Sequence, residues 1–232
     1  MGCASSREKL SVEEIAIIQM EEQLEFFKNT VRDVDMCFKK NSDLEHASPA
    51  QWESISIILG IKIKNTYQCP KAETLYQHYT LEDGRIIVRP LLILGIMLSS
   101  GTARRKARLI FELYDRNNTK VLPKSEIHEI IRLILDLSLI RLPELVSNKT
   151  RPCASEARIK AYVQSILTCR EAAEQGMFEK FMGLENLANE TIDKDEFIKH
   201  FADEETARLT APYAVRLFAL RYNELNSNRD KN

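Results

Sequence analysis

The chain opens Met1-Gly2-Cys3-Ala4-Ser5-Ser6-Arg7-Glu8-Lys9. Removal of Met1 would leave Gly2 as an unhindered α-amine, with Ser6 where the N-myristoylation pattern needs a hydroxyl. The chemistry is amide formation with a fatty acyl group. Cys3 is an adjacent thiol that a membrane acyltransferase could palmitoylate. One myristoyl chain binds a bilayer only marginally, with an association constant of about 10⁴ M⁻¹, so a second chain on Cys3 would make the anchor stable. Arg7 and Lys9 would each add about 1 kcal/mol at best against anionic lipid. The bland alternative is a polar leader that happens to begin Met-Gly. Gly2, Cys3 and Ser6 together, with no acid before position 8, favour acylation. A second set of chemistry-bearing residues lies in mid-chain. Asp115, Asn117, Thr119 and Glu126 bring side-chain oxygens, the donors that hard cations take, into one short stretch.

The elements around these residues follow from apolar spacing and caps. Ser11-Val-Glu-Glu14 reads as a capping box, in which the Glu14 side chain returns to the Ser11 amide. The helix that follows carries Ile15, Ile18 and Glu22 on one line. Ile17, Met20, Leu24, Phe27, Val31, Val34 and Phe38 lie on another, with a break near Asn29-Thr30. Ser48-Pro49 caps a helix whose apolar face is Trp52, Ile55, Ile58 and Leu59. Helices are expected over Glu73–Tyr79, Pro90–Leu98, Arg105–Tyr114 and 124–137. Gly101–Arg105 reads as a basic loop. Ser155 caps a helix running to Phe181, and Asp193 caps a short one through Phe201. Pro212 starts a last helix to Tyr222, ahead of a polar tail. Short β-prone pieces sit at Arg85-Ile86-Ile87-Val88, Val121-Leu122 and Thr191-Ile192. The rhythm of helix, polar loop, β-prone dipeptide and helix recurs, which is the signature of an internal repeat.

On those residues the chain resembles the EF-hand proteins of the calcineurin B-like and neuronal calcium sensor type. Phe111-Glu-Leu-Tyr-Asp115 would end a helix and open a loop that closes at Glu126, with Leu122 at position 8. Lys120 stands at position 6, where such loops use Gly for the turn, and Pro123 at position 9. A second match runs from Phe181 and Glu185 to Ile192-Asp193-Lys-Asp-Glu196-Phe197, with Leu187 and Glu190 breaking its ligand set. A third centres on Asp83-Gly84-Arg-Ile86, with Tyr79 and Pro90 at positions 1 and 12. The weakest is Ser48 to Trp52, with Gln51 at position 12. The position-12 residues 51, 90, 126 and 196 are separated by 39, 36 and 70. The first two gaps suit consecutive hands, and the last implies an insertion around 137–165. The resemblance covers residues 20–202.

The implied fold is all-α: EF-hand-like helix-loop-helix pairs in two lobes, with short β contacts between loops. The implied division is an acylated leader at 1–10 and an N-terminal pair at 11–101. A C-terminal pair with its insertion follows at 102–204, then a helix and tail at 205–232. Calcium needs six to eight oxygens with enough carboxylate charge to offset its dehydration. Two acids and a lysine at position 6 make the third loop a poor candidate, so no cofactor is expected. If calcium bound at all, it would use Asp115, Asn117, Thr119, the Val121 carbonyl and Glu126. Apolar residues at Leu91, Leu94, Leu98, Ile130 and Ile134 exceed what one face of a surface helix requires. They read either as deep core or as a groove for a partner helix, plugged by the helix at 212–222.

Composition bounds the remaining classes. The chain has 232 residues, a net charge of −1, 7 Gly and 5 scattered Cys. The charge balance argues against nucleic acid, and an odd, unclustered cysteine count suits a reducing compartment. The longest apolar run, Leu91–Leu98, is far short of the roughly 20 residues that span a bilayer. GxSxG, Walker A and GxGxxG motifs are missing from the sequence, so an enzyme is not expected. The expectation is a lipid-anchored, calcium-independent adaptor on the cytoplasmic face of a plasma or ciliary membrane. It would bind a protein partner through an apolar groove. The alternatives are a calcium sensor or phosphatase-regulatory subunit resembling calcineurin B, and a structural component of a membrane-associated or ciliary cytoskeleton.

Overall fold

The computed structural model describes residues 10–43, 45–146 and 155–229, with side chains to 222. Gly2, Cys3 and the rest of the expected acylated leader up to residue 9 lie outside the described residues. The chain is mainly helical, in agreement with an all-α class.

Helix α1 (Val12–Gln23) starts at Ser11, whose hydroxyl accepts the Glu14 amide at 3.1 Å. The Glu14 side chain does not return to close a capping box; it is fully buried and bound elsewhere. Ile17, Met20 and Leu24 face the core as the spacing requires. The helix stops because Glu25 turns left-handed at φ 65°, and a 3₁₀ turn (Phe26–Lys28) follows. Phe27, expected on the core line, is therefore rotated out and 51% exposed. Helix α2 (Val31–Asn41) is restarted by a capping box between Thr30 and Asp33.

Strand β1 (His46–Ala47) leads into α3 (Pro49–Leu59), which opens with a Ser48–Gln51 capping box and proline in its first turn. Gly60 ends α3 at φ +65°, a left-handed cap that a side chain would strain. Trp52, Ile55 and Leu59 are buried, but Ile58, expected beside them, is 61% exposed. Next come α4 (Ala72–Gln77), β2 (Ile86–Ile87) and α5 (Val88–Leu98). β1 and β2 pair antiparallel with Ala47 opposite Ile86.

The second half repeats the plan. Thr102 caps α6 (Ala103–Tyr114), so Arg104 and Arg105 lie in the helix and not in a basic loop. β3 (Val121–Pro123) and α7 (Lys124–Leu135) follow. The expected insertion is itself helical where described. It comprises a π-helical turn (Asp136–Arg141), a 3₁₀ turn (Pro143–Leu145) and α8 (Glu156–Leu167). The single helix expected from Ser155 to Phe181 is broken at Thr168–Cys169 into α8 and α9 (Arg170–Met182). β4 (Thr191–Asp193) and α10 (Lys194–Phe201) complete this half. Asp193 caps α10 by accepting the Asp195 and Glu196 amides. β3 and β4 pair antiparallel with Leu122 opposite Ile192. Helix α11 (Pro212–Arg229) runs seven residues past the expected end into the polar tail.

One continuous apolar core serves both halves. In the first, Trp52 lies between Phe38 and Tyr76, with ring centroids 6.1 and 5.3 Å away. In the second, Phe197 lies 5.5 Å from Phe111 and 5.4 Å from Phe201, and Phe201 lies 4.4 Å from Phe181.

Candidate functional site

The loop between α6 and α7 is shaped by its first residue. Asp115 Oδ1 accepts the Thr119 amide at 2.7 Å and its hydroxyl at 2.9 Å, and Oδ2 accepts the Lys120 amide at 2.8 Å. Burial opposes the charge on Asp115, but the Lys120 and Thr119 donors outweigh it and hold the carboxyl below its usual range. Wrapping the chain around one carboxylate forces Asn118 and Lys120 to φ 51° and 62°. Lys120 therefore takes the left-handed conformation that glycine adopts without strain, at a cost of about 1 kcal/mol or somewhat more.

The donor set fits a calcium ion poorly. The Thr119 hydroxyl lies within hydrogen-bonding distance of both Asp115 Oδ1 and the Val121 carbonyl. Three of the five expected ligands are thus tied to one another. Asn117 is exposed. Glu126 is half-buried, and its carboxyl is raised above its usual range by burial first, then by Glu129 and Asp115. Among the described residues no cluster of three or more His, Cys, Asp or Glu is arranged to hold a metal. In the loop between α9 and α10, Glu185 lies 3.4 Å from His200, and Asp193 serves as a helix cap.

The apolar groove expected at Leu91, Leu94, Leu98, Ile130 and Ile134 is closed. All but Leu98 are fully buried, and Leu98 is half-buried. The reason is close packing of α5 on α2. A methyl at Gly95 would come within 2.8 Å of Val34 and 3.1 Å of the Phe26 ring, so glycine lets the two helices meet. Ile130 and Ile134 sit on α7, which packs on α9 and the π-helical turn. The apolar surplus is core. Helix α11 lies against α8, α9 and the π-helical turn.

A buried ionic clasp holds α11 in place. Arg216 and Glu14 are both 0% exposed. The Arg216 Nε and Nη2 groups donate to Glu14 Oε1 at 2.9 and 2.6 Å, and Nη1 donates to the Ser138 carbonyl at 3.0 Å. Nη1 is also 2.8 Å from Glu21 Oε1. The Tyr162 hydroxyl donates to Glu14 Oε2 at 2.7 Å. One cation thus ties α1, the π-helical turn, α8 and α11 together. Two carboxylates share it, and burial pushes the Glu21 carboxyl up despite Arg216. The sequence carried a faint signal of this. Glu14 and Glu21 share a helical face with Ile17 and Leu24, and Arg216 sits among Val215, Leu217 and Phe218. Their pairing across 202 residues was not legible.

Between the halves lies a cleft of about 630 Å³ lined by Glu45, Arg89, Arg116, Glu129, Arg132 and Asp136 among others. Arg89 pairs with Glu129 at 2.7 Å across it, and Arg116 pairs with Glu45. A scan of protein-family models finds none that matches the chain, and a search of curated proteins likewise finds no match. No helix among the described residues is long and apolar enough to cross a membrane.

Proposed function

We propose that the protein is an EF-hand-like adaptor, tethered by acyl chains on Gly2 and Cys3 to the cytoplasmic face of a membrane, that binds a protein partner without calcium control. The observation that carries the reading is a register. The resemblance assigns Ala47, Ile86, Leu122 and Ile192 to position 8 of the four loops. Ala47 lies opposite Ile86 and Leu122 opposite Ile192. All four are buried. A paired-hand fold needs that arrangement, and an accidental run of helices does not. It rests on apolar residues alone, so loss of metal ligands leaves it intact.

The third loop supports independence from calcium. Its first carboxylate already accepts three hydrogen bonds from the loop's own donors. The anchor rests on the Met-Gly-Cys start with Ser6. Two measurements test the reading. Calorimetric titration of calcium into chelator-treated protein, with magnesium present, is expected to give no heat up to millimolar concentration. Gly2→Ala is expected to move the protein from the membrane to the soluble fraction. Membrane retention of that variant would sink the anchor.

One observation favours a calcium sensor as the second reading. Asp115 is one of the groups that push up the Glu126 carboxyl, and a cation between them would relieve that repulsion. A micromolar site abolished by Glu126→Gln would decide for it.

A further inference from the structure

The C-terminal half covers its apolar surplus with α11, but the N-terminal half leaves one edge bare. At the end of α3, consecutive residues Ile57 and Ile58 are 73% and 61% exposed, and Tyr67 in the next loop is 81% exposed. Single exposed apolar residues are ordinary, but adjacent ones at a rim are the mark of a contact surface. Tyr67 is presented by a built turn: the Thr66 amide donates to the Cys69 carbonyl, and the Cys69 amide to the Thr66 hydroxyl.

The charge on this edge is mainly basic, with exposed Glu73, which accepts a hydrogen bond from Asn65 at 3.2 Å, at its margin. No acid occurs from Ser54 to Ala72, while Lys62, Lys64 and Lys71 do. Lys71 is occupied with the Val146 carbonyl, whereas Lys62 and Lys64 are exposed. The 24–29 segment is stitched to the same edge. Asn29 donates to the Leu59 carbonyl, and the Lys62 amide to the Leu24 carbonyl. This brings exposed Phe27 and Lys28 alongside. The nearby acid, Glu25, is neutralised by Lys28 at 2.7 Å and Lys62 at 3.9 Å. Glu53, one turn before Ile57, is exposed at the margin.

We propose that Ile57, Ile58 and Tyr67, with Lys62 and Lys64, form a second contact that lies on an anionic lipid surface. It rests on the reading of the chain as membrane-anchored, and deepens it by giving the tethered protein an orientation. Lysines flanking apolar side chains match a bilayer interface, where the ammonium meets headgroups and the isoleucine enters the acyl boundary. Chain length permits it. Residue 24 lies about 18 Å along α1 from its start, and a ten-residue leader spans up to about 33 Å. The acyl chains and this edge can therefore reach one plane. Before Cys3 is acylated the myristoyl chain alone is a marginal anchor, and in that state a weak second contact has a large effect on residence.

The test separates this contact from the anchor. The full chain carrying Gly2→Ala is sedimented with phosphatidylcholine vesicles, with and without 30% phosphatidylserine. Binding is expected only to the anionic vesicles and to weaken with salt. Ile57→Gln with Ile58→Gln should lower it about tenfold, and each of Lys62→Gln and Lys64→Gln about fivefold at most. Unchanged thermal melts identify folded variants. If the Gly2→Ala chain ignores anionic vesicles while the acylated chain binds regardless of Ile57 and Ile58, the contact fails and the anchor stands. If the Gly2→Ala chain binds through the isoleucines but the natural chain carries no acyl group, the contact stands and the anchor fails. A dimer in light scattering that Ile57→Gln with Ile58→Gln dissolves, without vesicle binding, would assign the edge to a second copy and overturn the proposal.

Discussion

In the N-terminal half, α2 to α5 close on the Ala47–Ile86 pair, and the end of α3 is left with Ile57 and Ile58 in solvent. In the C-terminal half, α6 to α10 close on the Leu122–Ile192 pair, and α8, α9 and the π-helical turn are covered by α11 and clasped by Arg216. The internal plan is the same, so the difference lies in what each half leaves outside. The C-terminal half has satisfied most of its surplus within the chain, with Leu184 left 78% exposed. The N-terminal half has not, and there an external partner or surface has something to gain. The contrast also separates two kinds of stabilisation: apolar pairing, which both halves share, and an ionic lock, which fastens α11 to α1 and leaves the end of α3 untouched.

The largest expected effect comes from the lock. Arg216→Met should destabilise the protein by about 3–5 kcal/mol in urea denaturation, because it strands Glu14 and Glu21 without a counter-charge. Replacing all three by apolar residues of similar volume should restore most of the loss, since desolvation of the ions offsets much of their attraction. A neutral Arg216→Met would mean that α11 is held by packing alone. The lock also sets a pH dependence. Burial raises the Glu21 carboxyl, so the folded state binds the proton more tightly than the unfolded state. That contribution is complete below the ordinary value of 4.5 and is lost as pH rises through the folded value. Glu21→Gln should flatten the fall in stability over that window.

Next in size is the apolar pairing. Leu122→Ala and Ile86→Ala should each cost about 2–5 kcal/mol. Both side chains are buried, and both halves share one core, so each variant should still unfold in one transition. Two resolved transitions for either variant would show that the halves are independent, and would sharpen the comparison into one between domains.

How much of this was legible depends on the range of the interaction. Leu122, Ile192 and Ile86 could be read because a β-prone residue before a capped helix is a local pattern. The Ser48–Gln51 cap and the arrest at Gly60 are local as well. Glu14 misled because its local role, closing a box with Ser11, competes with a partner on α11. Burial settled that competition, and burial is a property of the fold. Ile58 misled for a related reason. It is expected on the apolar face of α3, but the buried line runs through Trp52, Ile55 and Leu59, where residues 24–29 cross, and Ile58 falls to the solvent side of it. The closed groove has the same origin: Leu91 and Ile130 look excessive only until α2 and α9 are placed against them. The third loop was legible in its ligand types. The left-handed Lys120 was foreseen as strain at a position that favours glycine.

That strain gives a smaller, stabilising effect. Lys120→Gly removes the Cβ clash of a left-handed residue but adds backbone freedom to the unfolded chain. The net gain should be at most about 1 kcal/mol, read as a shift in urea midpoint without change of slope. It also probes function. If calcium remains without heat in the Lys120→Gly chain, the turn was not the obstacle, and the Thr119 hydroxyl bridging Asp115 and the Val121 carbonyl is.

The smallest expected effect on stability is the most telling for the comparison. Ile57→Gln with Ile58→Gln should change unfolding free energy by less than about 0.5 kcal/mol, because exposed side chains lose little burial on replacement. Glutamine is as good a helix former as isoleucine or better, so α3 itself should not weaken. A buried isoleucine such as Ile55, seven residues after the Ser48 cap in the same helix, would cost several times more when shortened to alanine. Two adjacent isoleucines exposed beside Lys62 and Lys64 carry a cost in solubility. If their removal instead lowers stability by 1 kcal/mol or more, the end of α3 is packed in solution and the bare edge belongs to the core. A neutral result leaves the edge free to act outward, and it places the open side of the molecule at the end of α3, away from the clasp on α1.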